Sequence, residues 1–147
     1  MLESVGQTPV VVRRELDGFI LNRLQGALLS EAMRLVGEGY VSAEDLDKTI
    51  RDGLGLRWSF LGPMATIELN APGGVDDYCA RYGDFFRRLA ADPAGPQVWG
   101  PHNAARVRDA LGPQRPAERR EARTLWRDRR LMALVAHKKR AEGDIGA

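Results

Sequence analysis

The chain has 147 residues, 44% of them hydrophobic and 29% charged, with a net charge of +2 at pH 7. That length can bury a real core as one domain, and the composition is that of a globular protein rather than a disordered or fibrous one. No apolar run approaches the roughly 18–20 residues of a bilayer span, and Cys79, the single cysteine, excludes an internal disulfide.

The opening MLESVGQTPV lacks the basic and apolar regions of a signal peptide, so a reducing, cytoplasmic home and no membrane partner are expected. Residues 9–14, PVVVRR, form a β-branched run behind Gly6 and Pro9, the signature of a short strand. No second convincing strand is found. A lone strand cannot satisfy its own backbone groups. It is therefore expected either to run as an extended linker or to complete a sheet that lies elsewhere.

Asp17 is a plausible N-cap for a helix running to about Val36, stopped by Gly37 and Gly39. Leu21, Leu24, Leu28, Ala32 and Leu35 or Val36 recur at helical spacing as an apolar stripe. Asn22 and Gly26 lie on an adjoining face, one turn apart. An asparagine amide inside an oily helix needs partners, because leaving it buried and unpaired costs about 1–3 kcal/mol.

Ser42-Ala43-Glu44-Asp45 resembles a capping box opening a second helix to about Arg51. The glycine-rich DGLGLRWSFLGP, residues 52–63, cannot be a regular helix throughout. Pro63 suits the first turn of a short helix to about Leu69, NAPGG reads as a turn, and Val75–Ala91 shows helical spacing. Pro93 and Pro96 break the chain before a helix over 101–111 and a last one from about Pro116 to Arg140. The fold class expected is all-α, with five to six helices and one short N-terminal strand.

A complete active site is not found. His102 and His137 have no nucleophile beside them in sequence and read as surface or structural residues. No metal-ligand spacing and no glycine-rich dinucleotide loop is present, so neither a metal nor a cofactor is expected to bind this chain alone. Between Arg115 and Arg140 the segment carries +7 while the remaining residues carry −5. Arginines around an otherwise apolar helix most often make a solvated face. With Trp126 as the one aromatic there, stacking on nucleic acid has little support, and nucleic acid is not expected as a partner. Arg57, beside Trp58 on the glycine-rich connector, can present a bidentate fork to a carboxylate; a surface ion pair or stacking on Trp58 are the plainer alternatives.

Several motifs taken together resemble the C-terminal domain of the L-3-hydroxyacyl-CoA dehydrogenase family. They are Gly6, Pro9, Val10 and Val11; then Gly18, Phe19, Ile20, Asn22, Arg23 and Leu24; then Glu31 and Ala32; and Asp45, Leu46 and Asp47. GLGLRWSFLGP and the tail LWRDRRLMALVAHKKR are similar to the lambda-crystallin, or L-gulonate 3-dehydrogenase, branch. The resemblance implies that residues 1–16 end a Rossmann domain, the Pro-Val-Val run being its last strand, and that 17–147 form a helical substrate-binding and dimerisation domain. It also implies that Asn22 faces the active site as a catalytic residue, bonding the substrate oxygen or holding a histidine of the Rossmann domain. Arg57 is the counterpart expected to bind a substrate carboxylate, from its own subunit or across a dimer. The implied enzyme uses NAD, bound by the Rossmann domain of the same or another chain, on a hydroxy-acid or acyl-CoA substrate. The family's catalytic His–Glu pair, its Ser and its NAD loop have no counterpart in these residues, so activity from this chain alone is not expected. A non-catalytic helical module that dimerises or docks a partner is the alternative.

Overall fold

The computed structural model describes residues 8–113 and 116–146. They form α1 (Phe19–Gly37), α2 (Ala43–Lys48), a π-helical turn (Thr49–Leu54), α3 (Gly55–Arg57), α4 (Pro63–Leu69), α5 (Gly74–Ala90), a 3-10 turn (Pro96–Trp99), α6 (Pro101–Leu111) and α7 (Ala117–Ile145). Because α2, the π turn and α3 run on without a break, the path has six helical bodies, as the periodicity predicts. No strand forms among the described residues: residues 8–14, expected as an extended linker or as a strand of a sheet elsewhere, carry no regular secondary structure, and Val10 and Val11 are exposed. A single extended segment has no ladder to close. Met1–Gln7, and with them Gly6, lie outside the described residues, as does Arg115 of the basic segment.

The expected Asp17 cap is also corrected. Gly18 occupies the N-cap in the left-handed region, at φ 76°, and no side chain caps α1. At the other end Gly39, at φ 81°, reverses the chain. Its N–H donates to Val36 O and the Tyr40 N–H donates to Leu35 O, the paired bonds of a Schellman ending. Gly37 is not a stop signal; it is the last residue of the helix, and its lack of a side chain makes room for Asn103.

The capping box forms as read, with Ser42 Oγ accepting from the Asp45 N–H at 3.0 Å. The helix it opens does not end at Arg51. It continues to Arg57 through the π turn, in which the Gly55 N–H donates to Ile50 O, five residues back. A Cβ on Gly55 would lie 2.9 Å from that carbonyl oxygen. The glycine that reads as a breaker therefore permits a wider turn. One inserted residue rotates the rest of the helix by about 100°, and so sets the direction of Arg57.

The first unit, ending at Leu111, packs the second half of α1 against α2, the 3-10 turn and α6, while α4 pairs with α5. Asn103 holds the first group together. Its Nδ2 donates to Met33 O at 3.0 Å and to Val98 O at 2.9 Å. Gly37 lies directly against it: a Cβ there would stand 1.7 Å from Asn103 Oδ1. Trp99 Nε1 donates to Ser30 Oγ at 3.1 Å, and Arg34 bonds Glu31 and, 58 residues away, Asp92. Buried residues are few among those described: Val36, Gly37, Ala43, Ala71 and Val98.

The second unit, from Gly112, is essentially α7. Along it Trp126 lies between Arg123 and Arg130, with guanidinium carbons 5.9 and 6.0 Å from the ring centroid. Its apolar residues Leu125, Met132 and Val135 are exposed.

Candidate functional site

Asn22 sits in the first turn of α1, among Phe19, Leu21 and Leu24, all of which are exposed. Asn22 is exposed too, and its amide has no protein hydrogen bond among the described residues. The cost of burying an unpaired amide is thus avoided by leaving it in the open. Arg23 on the next position reaches back to Asp17 O, near the limit of a hydrogen bond at 3.5 Å. Gly26 has open space where a Cβ would be, so another element or ligand can approach this face.

Arg57 ends α3 and lines a groove of about 350 Å³ with Leu56, Phe60, Leu61, Thr66, Leu69 and Asn70. Among the described residues its guanidinium forms no ion pair, and it does not stack on Trp58. Both plainer alternatives for Arg57 are therefore absent. By contrast Arg34, Arg51, Arg81 and Arg87 in the same unit are each engaged by a carboxylate. Asn22 is not a wall of this groove, so the two residues singled out from the sequence stand at separate places on the first unit.

Sequence reasoning missed Thr66 and Asn70. Their signal was available: Thr66 in α4 and Asn70 at its C-cap are four residues apart and share a face. His102 and His137 are exposed on α6 and α7, and Cys79 is exposed on α5. Among the described residues no group of acidic, histidine and cysteine side chains can hold a metal, and no helix is long and apolar enough to cross a membrane.

Charge-assisted contacts elsewhere are structural. Asp77 accepts from Arg81 and from the Gly73 N–H, which hold its carboxyl below the usual carboxylate range. Asp45 is held low by Lys48 first and Ser42 second.

Residues 18–98 match the family described as 3-hydroxyacyl-CoA dehydrogenase, C-terminal domain. The chain is 45% identical over 137 residues to a lambda-crystallin homolog of Bos taurus, which covers 92% of this chain and 42% of that protein. It is 46% identical over 78 residues to a 3-hydroxyacyl-CoA dehydrogenase of Gibberella moniliformis, covering 53% of this chain and 24% of the relative. An L-carnitine dehydrogenase of Pseudomonas aeruginosa is 43% identical over 82 residues, 55% of this chain and 26% of the relative. The chain thus spans less than half the length of these relatives. The exposed Asn-Arg-Leu turn of α1, the capped second helix and the groove at Arg57 all lie within the matched span, and the chain belongs to the 3-hydroxyacyl-CoA dehydrogenase family as its C-terminal domain.

Proposed function

We propose that this chain is the substrate-binding and dimerisation domain of an NAD-dependent dehydrogenase that interconverts a 3-hydroxy acid and a 3-oxo acid. The observation that carries the reading is the Asn22 amide, unpaired among the described residues on the first turn of a helix half whose apolar side chains Phe19, Leu21 and Leu24 are exposed. A polar group with that setting is poised for a substrate oxygen or for a side chain of a facing domain. The amide can donate to an oxygen on which negative charge develops, and fixed donors of that kind are effective because they need no reorganisation.

The described residues do not fit a dinucleotide: they contain no strand–glycine turn–helix unit to hold a pyrophosphate. The proposed role is therefore confined to holding substrate and packing against a dinucleotide-binding partner domain. The accessible surface supports such a partner. Apolar side chains on α1, α5 and α7 are uncovered among the described residues, Leu21, Phe85 and Met132 among them.

The test is Asn22→Ala in the longest polypeptide that carries this chain, assayed for NAD-linked oxidation of 3-hydroxy acids. A loss of at least tenfold in kcat/KM, about 1.4 kcal/mol of transition-state stabilisation, is expected. An unaltered kcat/KM rejects the catalytic reading and leaves the non-catalytic helical module, which the same uncovered faces support. Sedimentation of the chain at rising concentration tests the dimer separately.

A further inference from the structure

The chain enters α1 by the more strained of two routes open to its sequence. Asp17 is of the residue type that caps helices, accepting from first-turn N–H groups with an extended backbone. That route is not taken. The chain turns through Gly18 at φ 76° and Phe19 at φ 49°, and no side chain caps the helix. Among the described residues Phe19 is the one non-glycine with a positive φ. A bulky L-residue resists that conformation, because its Cβ crowds the following carbonyl. Strain of this kind persists where the surroundings impose it, and it gathers at functional sites. Here a turn imposes it. The Phe19 N–H donates to Leu16 O at 3.2 Å, and Arg23 Nη1 reaches Asp17 O at 3.5 Å. Phe19 itself is 59% exposed, so packing of its ring is not what holds the turn. The turn borders Asn22: a Cβ on Gly18 would lie 3.9 Å from Asn22 Cβ and 3.6 Å from Arg23 Cγ.

We propose that Phe19 is a positioning residue for Asn22: its positive φ holds the Gly18 turn beside the Asn22 side chain and keeps the Asp17 carboxylate from capping α1. The inference deepens the function proposed above and rests on it for the oxygen that Asn22 meets. A capping Asp17 would set a full negative charge on the first turn, close to the Asn22 amide. Negative charge developing on an oxygen bound by that amide would then be opposed. The strained entry removes this opposition and gives up the stability that an ordinary cap supplies. Loss of stability at a position that serves chemistry is a common exchange.

The experiment rewrites the entry in its ordinary form. Gly18→Asp combined with Phe19→Pro supplies a capping side chain and then a proline, which suits the first helical position. In the longest polypeptide that carries this chain, assayed with NAD and DL-3-hydroxybutyrate, the pair should lower kcat about tenfold and leave KM within about twofold. The same pair should raise the thermal midpoint of the 147-residue chain. Phe19→Asn tolerates a positive φ and should keep most of the kcat, whereas Phe19→Val should not. Adding Asn22→Ala to the pair should lower kcat no further than Asn22→Ala does alone, since Phe19 acts through Asn22. In ¹H–¹⁵N spectra of the chain, the Asn22 side-chain signals should move in the pair and in Phe19→Val but stay in Phe19→Asn.

Unmoved Asn22 signals, or equal effects of Phe19→Asn and Phe19→Val, overturn the proposal. So does a kcat loss for the pair that adds fully to that of Asn22→Ala. A lowered thermal midpoint for the pair overturns it as well, because no strain would then have been relieved. Failure on these counts with Asn22→Ala still damaging the longer enzyme removes only this inference. A harmless Asn22→Ala, with Asn22 signals that still follow the residue at position 19, removes the catalytic reading and leaves the positioning.

Discussion

The two halves of α1 share one apolar periodicity and meet opposite fates. From Phe19 to Leu29 the helix is exposed nearly all round, with Leu21 at 75% and Leu24 at 62% of full accessibility. From Ser30 to Gly37 it is held by Trp99, Asn103 and Asp92, and Val36 is buried. The stripe of leucines is continuous across both. The difference lies in partners from distant sequence: residues 92–103 return to the second half, and no long-range hydrogen bond or ion pair among the described residues reaches the first. A hydrophobic stripe therefore marks a face that seeks cover without saying who supplies it. The half that carries Asn22 is the half left open.

Substitutions in the held half should give the largest effects. Gly37→Ala would ordinarily favour a helix by about 1 kcal/mol. Here the new methyl meets Asn103 Oδ1 at 1.7 Å and Cγ at 2.6 Å. Moving that amide breaks its two bonds, so a net loss of about 1–3 kcal/mol is expected in urea unfolding. A gain in stability would refute the close packing at Asn103. Combining Gly37→Ala with Asn103→Ala should cost less than the sum of the two, because one removes the obstacle the other creates.

Asn103→Ala alone should cost about 1–2 kcal/mol, since it leaves the Met33 and Val98 carbonyls without their donor. The open half predicts the reverse. Leu24→Ser should change unfolding of the isolated chain by no more than about 0.5 kcal/mol yet weaken self-association or docking of a partner domain, read by sedimentation. A large loss of monomer stability would show that α1 is covered along its whole length.

The smallest expected effect is acid sensitivity at the start of α5. The Asp77 carboxyl is held low, first by Arg81 and then by the Gly73 N–H. Its contribution is therefore complete above the unfolded carboxylate range, near about pH 4, and fades as pH falls through the lower folded value. Urea midpoints between about pH 5 and pH 2 should decline slightly less steeply for Asp77→Asn. An identical decline would show that this contact adds nothing.

Local signals were legible where the chemistry is local. Ser42 caps α2 through Asp45, Pro63 opens α4, and α6 spans the residues its neighbouring proline and glycine delimit. Two signals were misread because glycine has more than one use. Gly37 is small to admit Asn103 rather than to end a helix, and Gly55 admits the Ile50 carbonyl in a π turn rather than breaking the path. Asp17 has the chemistry of a cap, but the left-handed Gly18 lets the chain enter α1 without one.

By itself the sequence determined the helical path, most of the element limits, the family, and that Asn22 and Arg57 are the polar residues needing an account. Periodicity, capping chemistry and motif are all carried within a few residues of each other. Only the tertiary structure decided that Asn103 joins α1 to the 3-10 turn and α6, that Thr66 and Asn70 share a groove with an unpaired Arg57, and that Asn22 stands apart from that groove. Those facts depend on which distant segments return to which face, and a pattern along the chain records the face but not the return.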